Sequence, residues 1–248
     1  MIPKIIHYCW FGKKPKPRLV QKCIESWSQY CPNFRIKEWN EDNTGHVDTP
    51  FFRNALRKKQ YAFAADYIRA LVLYKEGGIY LDTDMLLLKP INSLLHNRFF
   101  IGEEAPGRIN FAIFGSISGN YILEFMLKFY HDRNFDSFSP PVITHTFSSY
   151  VFDMTVEEDI IFPAEVFYAM PYGHSIEDYS NFITQKSLAV HLWNHSWKPH
   201  KKETTKQYFK NLLEVLNDYF FYGYSIKYLK RYGKEFLRKI YYKLFKQK

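Results

Sequence analysis

The stretch Tyr61-Ala-Phe-Ala-Ala-Asp-Tyr-Ile-Arg69, followed closely by Glu76-Gly-Gly-Ile-Tyr-Leu-Asp-Thr-Asp84, decides the fold of this chain. Apolar residues recur at roughly helical spacing between positions 62 and 73, and the glycine pair 77–78 is a strong signal for the end of a helix. The β-branched and aromatic run 79–81 is typical of a short buried strand. The stretch therefore predicts a helix, a glycine stop and a strand that continues to about residue 90.

The strand carries two carboxylates, Asp82 and Asp84. Residues two apart on a continuing strand face the same side, so both carboxylates should point the same way. Two unpaired carboxylates at a buried strand end are costly unless a positive charge lies between them. A divalent cation supplies that charge, and oxygen ligands suit magnesium or manganese. We therefore predict a metal site here.

The preceding helix carries Asp66 and Arg69 three residues apart, and hence on one helix face. An aspartate can accept hydrogen bonds from sugar hydroxyls, and a guanidinium offers a fork of donors for phosphate. A simple ion pair at i,i+3 on the surface would use the same spacing. Beside a metal site, however, the pair indicates a site for a nucleotide-sugar.

The elements around this unit predict an α/β fold. Residues 3–12 are typical of a first strand, residues 19–30 of an amphipathic helix, and residues 34–39 of a second strand. This order opens a Rossmann-like sheet, in which ligands collect at the carboxyl ends of the strands. Further strands are expected near residues 99–104 and 110–115, and a helix over 121–131.

Composition limits the class of protein. The net charge of +9 is concentrated after residue 218, where nine basic residues face one acidic residue. Because the remaining body is nearly neutral, nucleic acid is not an expected partner. The three cysteines, Cys9, Cys23 and Cys31, lack disulfide or metal spacing and fit a reducing compartment. Neither a signal peptide nor a membrane-spanning apolar run is evident, so we expect a cytoplasmic protein.

The central stretch closely resembles the sugar-binding region of glycosyltransferase family 32, the DXD family that includes capsule and cell-wall glycosyltransferases. The resemblance implies a GT-A-type fold: a Rossmann-like mixed sheet flanked by helices, here over residues 1–218, with a C-terminal helical extension over residues 219–248. It also implies a metal-dependent transferase that retains anomeric configuration and uses a UDP-hexose, with galactose as the best guess.

The resemblance implies roles for individual residues. The start of the chain resembles a nucleotide pocket in which His7 lies near the donor and Trp10 stacks on the base. Asp66 would contact the donor sugar, Arg69 the diphosphate and Tyr80 the ribose or the sugar. Asp82 and Asp84 would hold sugar, ribose and metal, with Asp84 as the more direct ligand of Mn²⁺ or Mg²⁺.

A second cluster, His191-Leu-Trp193-Asn-His195-Ser196-Trp197, is similar to the motif with which the family closes its site, although Leu192 replaces a histidine. A neutral imidazole is a sound manganese ligand beside carboxylates. We expect His191 to be the third protein ligand, with His195 as the competitor. Ser196 and Trp197 would close over the diphosphate and exclude water.

The tail after Gly223 has a basic, amphipathic pattern, with one apolar face predicted from Ile226, Leu229, Phe236, Ile240 and Leu244, and with Leu237 and Tyr241 beside it. A solvated helix that caps the domain, or a disordered tail, is the alternative. Such a helix suits an anionic membrane interface. We therefore expect a peripheral protein at the inner face of the cytoplasmic membrane that glycosylates a lipid-linked acceptor in capsule or O-antigen assembly. The alternatives are a non-catalytic module that binds nucleotide-sugar or glycan for a partner transferase, and a toxin-like transferase that modifies a host protein.

Overall fold

The computed structural model describes residues 1–194 and 204–245, except for the side chain of Leu244. The fold divides into two compact units, Met1–His195 and Ser196–Lys248. The domain boundary that we expected after residue 218 stays a prediction. Within the second unit, the helix Thr205–Phe221 packs against the last helix, as the ring contact of Phe209 with Phe236 shows.

The first unit contains both strands and helices. Its strands are β1 (Ile5–Cys9), β2 (Arg35–Trp39), β3 (Gly78–Leu81), β4 (Met85–Leu87), β5 (Phe99–Ala105), β6 (Arg108–Ser116), β7 (Asp159–Phe162) and β8 (Ala189–His191). Its α-helices are α1 (Arg18–Tyr30), α2 (Pro50–Arg57), α3 (Tyr61–Glu76), α4 (Tyr121–His131), α5 (Ile143–Met154) and α6 (Ala164–Phe167). Short 3₁₀ turns cover Asn92–His96 and Ile176–Asn181.

Six strands form a mixed sheet in the order β2-β1-β3-β6-β5-β7. The β1 strand pairs in parallel with β2 and β3, and β6 runs antiparallel to β3 and β5. Alternate side chains of β3 enter different cores, with Tyr80 in one and Ile79 and Leu81 in the other. The predicted mixed α/β sheet flanked by helices is confirmed.

The glycine stop is also confirmed. The α3 helix ends at Glu76, and Gly77 donates its N–H to the carbonyl of Leu73 at 2.9 Å. Gly78 has φ of +110°, and a Cβ there would lie 2.7 Å from the Ile5 carbonyl oxygen. Only glycine therefore allows β3 to leave the helix end and pair with β1.

The strand does not continue through the two aspartates, so that prediction is wrong. Asp82 to Met85 form a turn, closed by a hydrogen bond of 2.9 Å from the Met85 N–H to the Asp82 carbonyl. The β4 strand then leaves the main sheet and pairs antiparallel with β8. The α1 helix holds β4 there, because the indole of Trp27 donates to the Met85 carbonyl and the Ser26 hydroxyl accepts the Leu87 N–H.

The second unit contains α7 (Thr205–Phe221) and α8 (Ile226–Phe245). The apolar face predicted for the tail is largely used inside this unit. Phe236 packs against Phe209 of α7 with 5.1 Å between ring centroids, and Leu229 and Ile240 are half-buried. Ile226 is exposed. Among the helices of the described residues, none has the length and apolar character needed to cross a membrane.

Candidate active site

Asp82 and Asp84 lie on the turn that connects the main sheet to the small β4–β8 sheet. The backbone N–H of Asp82 donates to the carbonyl of Ala112 on β6 at 2.7 Å, which fixes the start of the turn. The two carboxylates are thus placed close together by a turn rather than by the pleat of a strand. This position is the carboxyl end of β3, where ligands collect in open α/β sheets.

Asp84 is held by the last residue of β8 and by the chain that follows this strand. Its Oδ1 lies 3.2 Å from Nε2 of His191, and its Oδ2 accepts the backbone N–H of Asn194 at 2.9 Å. The antiparallel register, which pairs Met85 with His191, creates this contact between residues far apart in sequence. Burial by itself raises the pKa of Asp84, but the charge and hydrogen bond of His191 hold that pKa below its ordinary value.

Asp82, Asp84 and His191 form a cluster that fits a divalent cation. Each offers one ligand atom, and these atoms all lie within 4.8 Å of one another. Ligands at about 2.1 Å from an octahedral cation are separated by about 3 to 4.2 Å, so small movements would complete the site. In addition, Nδ1 of His191 is buried and has no hydrogen-bond partner among the described residues. The two carboxylates and one imidazole suit manganese or magnesium.

Arg69 is the cation that the protein itself supplies beside this cluster. Nη2 lies 3.1 Å from Asp66 Oδ1 and 3.2 Å from Asp82 Oδ1. Nη1 donates to Asp82 Oδ2 at 3.4 Å and to the Phe111 carbonyl at 2.8 Å, and Nε donates to the Ala65 carbonyl at 3.5 Å. All donor groups of the guanidinium are therefore engaged by the protein. Its role toward a diphosphate stays a prediction, whereas its contacts orient the two aspartates.

Asp66 and Tyr80 lie in the same buried network. Burial raises the pKa of Asp66 to about 7, with Asp82 adding to the rise and Arg69 opposing it. The hydroxyl of Tyr80 donates to Asp82 Oδ1 at 3.2 Å, and the Arg69 guanidinium lies 4.6 Å from the centre of the Tyr80 ring. The Tyr80 hydroxyl thus contacts the carboxylate of Asp82. The sugar contact expected of Asp66 and the sugar or ribose contact expected of Tyr80 stay predictions.

His7 is held by hydrogen bonds within the protein. The side chain is fully buried, Nδ1 accepts the Trp39 indole N–H at 3.0 Å, and Nε2 donates to the Gly77 carbonyl at 2.9 Å. Because both ring nitrogens are used within the protein, these contacts support a structural role at the junction of β1 and β3. The predicted place of His7 near the donor stays a prediction.

Trp10 follows β1 directly and is half-buried, with its indole N–H donating to the Lys14 carbonyl at 2.7 Å. It lies past the carboxyl end of β1, the strand that pairs with β3, and Asp82 directly follows β3. The stacking of a nucleotide base on Trp10 stays a prediction. His195, Ser196 and Trp197 lie outside the described residues, and their predicted roles stay predictions too.

Two aromatic residues were not assigned to the site from the sequence. Trp193 packs on the imidazole of His191 with 4.0 Å between ring centroids, and Tyr168 contacts the same ring edge-on at 5.8 Å. The Tyr168 hydroxyl is fixed by the Asn110 carbonyl and the Ile113 N–H, both on β6. Trp193 belongs to the motif around His191, so its position was a usable signal. Tyr168 offered none beyond an apolar stretch.

The sequence is similar to known proteins over the region that carries the aspartates. Residues 17–100 match the family described as glycosyltransferase sugar-binding region containing DXD motif. Inositol phosphoceramide mannosyltransferase 3 of Schizosaccharomyces pombe is 29% identical over 129 residues, which are 49% of this chain and 35% of the relative. An uncharacterized glycosyltransferase of Acanthamoeba polyphaga mimivirus is 31% identical over 106 residues, which are 40% of this chain and 42% of the relative.

Among solved structures, PaToxG glycosyltransferase superposes with a TM-score of 0.47 at 17% identity, over 62% of this chain and 71% of that chain. The chain spans less than half the length of the two curated relatives, 35% and 42% respectively. Residues 17–100 are therefore similar to a glycosyltransferase sugar-binding region, and both curated relatives are named as transferases.

Proposed function

We propose that this chain is a metal-dependent GT-A-type glycosyltransferase that moves a hexose from a nucleoside-diphosphate sugar to a glycan acceptor. The observation that supports it most is the cluster of Asp82, Asp84 and His191, whose ligand atoms lie within 4.8 Å of one another beside the buried Arg69. Both aspartates and the arginine fall inside the matched sugar-binding region.

The residues of the site have distinct tasks in this proposal. Asp82, Asp84 and His191 hold the cation, which when bound would offset the negative charge that develops on the diphosphate leaving group. Arg69 fixes the orientation of Asp82 by contacting both of its oxygens. The Asn194 N–H and His191 do the same for Asp84. Such preorganisation avoids reorientation of the ligands during the reaction.

We further propose a UDP-sugar as donor, with galactose as the first candidate and Trp10 as the platform for the base. Transfer would proceed with retention. The bond between the anomeric carbon and the diphosphate oxygen breaks, the acceptor oxygen bonds on the same face, and the acceptor proton passes to the departing diphosphate. Ser196 and Trp197 would exclude water from this step. Trapping of a covalent glycosyl-enzyme would contradict this mechanism.

For the acceptor, we propose a lipid-linked glycan of surface polysaccharide assembly. The name of the fission-yeast relative describes a transferase that acts on a ceramide lipid, which is consistent with a lipid-borne acceptor. The same name describes transfer of mannose, so GDP-mannose belongs beside UDP-galactose and UDP-glucose among the donors to be tested.

The test is a donor hydrolysis screen. Purified chain is incubated with UDP- and GDP-sugars in the presence of manganese, magnesium or EDTA, while released nucleoside diphosphate is measured. We expect metal-dependent release from one donor, and loss of that release in Asp84→Asn. The matched control is Asp42→Asn, because Asp42 is an exposed aspartate that contacts only Lys13 at 3.3 Å among the described ion pairs.

The screen also separates the alternative of a binding module. Nucleotide-sugar binding measured by calorimetry without turnover, even with acceptor extracts, would favour a module that holds the donor for a partner transferase. Absence of both binding and turnover would contradict the assignment to nucleotide-sugar chemistry.

A further inference from the structure

The outward surface of α8 forms one continuous stripe along the helix. At 100° per residue, nine exposed side chains of α8 fall within an arc of about 140° around the helix axis. We call this set the α8 stripe: Lys227, Lys230, Arg231, Lys234, Leu237, Arg238, Tyr241, Tyr242 and Phe245. The stripe includes Leu237 and Tyr241, which we expected beside the predicted apolar face, whereas Phe236 of that face packs against α7.

The basic and the apolar residues of the α8 stripe follow one another along the helix axis and do not lie on opposite sides of the helix. Its first half is basic, from Lys227 to Lys234, with Arg238 one turn further. Its second half is apolar and aromatic, with Leu237 exposed by 66%, Tyr241 by 53% and Phe245 by 72%. A large apolar cluster left open to solvent at the end of a helix indicates an interaction site.

Within the part of the chain that the structure describes, the basic half has no acidic partner. Among residues 1–194 and 204–245, none of Lys227, Lys230, Arg231, Lys234 and Arg238 forms an ion pair. By contrast, Lys239 on the neighbouring side of α8 pairs with Glu235 at 3.2 Å. Five unpaired cations in one row create a positive surface that is complementary to an array of anions.

We propose that the α8 stripe docks on an anionic lipid bilayer. Leu237, Tyr241 and Phe245 enter the headgroup region, where aromatic and aliphatic side chains are favoured. The five cations lie over the lipid phosphates, which attract basic residues near the membrane surface.

Two other occupants fit the stripe less well. A second copy of α8, paired in parallel register, would bring two rows of cations together, which is unfavourable. A nucleic acid would leave Leu237 and Phe245 without an apolar environment. The proposal is independent of the proposed transferase activity, because it concerns only the second unit. The expected location at the inner face of the cytoplasmic membrane stays a prediction.

The first test measures co-sedimentation of the full chain with vesicles. We expect binding to vesicles of equal parts phosphatidylcholine and phosphatidylglycerol, and little binding to pure phosphatidylcholine. Replacement of both Lys230 and Lys234 by Gln should weaken binding roughly thirtyfold, since each basic residue near an anionic surface contributes about 1 kcal/mol. The matched control replaces Lys206 and Lys210 of α7, which are also exposed and four residues apart, and should leave binding nearly unchanged.

The second test measures insertion. Cys9, Cys23 and Cys31 are buried, so a single exposed cysteine can be labelled selectively. A nitrobenzoxadiazole probe on Phe245→Cys should brighten and shift to the blue on anionic vesicles, whereas the same probe on Lys210→Cys should not. Circular dichroism of both variants checks that the helices are retained.

Three results would overturn the proposal. They are equal binding to neutral and anionic vesicles, equal loss of binding in the α8 and α7 lysine variants, and an unchanged probe spectrum at position 245 under conditions of full sedimentation. Self-association that is lost in Tyr241→Ser with Phe245→Ser, without any vesicle binding, would also overturn it in favour of a dimer interface.

Discussion

The guanidinium of Arg69 contacts both carboxylate oxygens of Asp82: Nη2 lies 3.2 Å from Oδ1, and Nη1 lies 3.4 Å from Oδ2. The same guanidinium contacts Asp66 at 3.1 Å, so one buried cation serves two carboxylates on different elements. This relationship ties α3 to the turn after β3. It makes Arg69 part of the framework that positions the metal cluster.

Replacement of Arg69 by Met should therefore destabilise the fold. It leaves the buried Asp66 and the partly exposed Asp82 without their cation, and removal of one partner from a buried ion pair costs about 3 to 5 kcal/mol. Chemical denaturation monitored by circular dichroism measures the change. The control is Arg53→Met, because Arg53 pairs with Asp48 at 2.8 Å on the surface, with its side chain 60% exposed, and should cost under about 1 kcal/mol. Equal effects of both variants would contradict the role given to Arg69.

Asp84→Asn should abolish the metal site with little effect on the fold. The amide keeps the shape of the side chain but removes the charge that attracts both a cation and His191. We expect manganese affinity, measured by calorimetry, to fall by about 100-fold or more, since loss of supporting contacts alone often costs 10- to 100-fold. Unchanged affinity in a folded variant would show that the cation binds elsewhere.

Sequence reasoning succeeded where the signal is local. The order of helix, glycine stop and strand around Gly77 depends on backbone preferences that act within a few residues. The structure contains these elements in the predicted order. The turn at Asp82 was missed because the apolar run from Met85 to Leu88 looks like a continuation of β3. Only the distant contacts of Trp27 and Ser26 with β4 show that the strand changes sheet.

His7 gives a prediction about pH. Burial lowers its pKa to about 4, against the hydrogen bond with Gly77, which raises it. An unfolded histidine titrates near 6.5, so between pH 6.5 and 4 the unfolded state binds more protons, and stability must fall as the pH falls through this window. The contribution is about 3 kcal/mol in total.

His7→Gln tests this point, because glutamine can donate to Gly77 and accept from Trp39 but does not titrate in this range. The free energy of unfolding of the natural chain should fall more steeply between pH 6.5 and 4 than that of the variant. Parallel curves for the two proteins would contradict the assignment of a buried neutral imidazole.

Gly78→Ala should be strongly destabilising. At φ of +110° an added Cβ would lie 2.7 Å from the Ile5 carbonyl oxygen and 2.9 Å from Nε2 of His7. Both backbone strain and steric overlap follow, so we expect a loss of about 3 kcal/mol or more. Gly45→Ala is the control, since nothing lies within 4 Å of a Cβ there. A melting temperature of Gly78→Ala close to that of the control would show that β1 and β3 can separate easily.

Other features depend on contacts that no local pattern encodes. One hydrogen bond of the Arg69 guanidinium goes to the backbone carbonyl of Phe111. Any residue at position 111 would offer this carbonyl, so the sequence does not reveal the contact. Likewise, the amphipathic pattern of α8 contains two faces with apolar residues, and only the packing of Phe236 on Phe209 shows which one remains exposed. The pairing of His191 with Asp84 arises from the register of β4 with β8, which no local pattern encodes. Only the resemblance led us to expect His191 at the site.

The most direct test of the central claim is pulsed electron paramagnetic resonance of Mn²⁺ added to the purified chain. We expect a bound ion whose spectrum shows nitrogen modulation from a coordinated imidazole. That modulation should disappear in His191→Gln, persist in His195→Gln, and be lost together with the bound ion in Asp84→Asn. Nitrogen modulation that persists in His191→Gln, or tight Mn²⁺ binding in Asp84→Asn, would contradict a metal site formed by Asp82, Asp84 and His191.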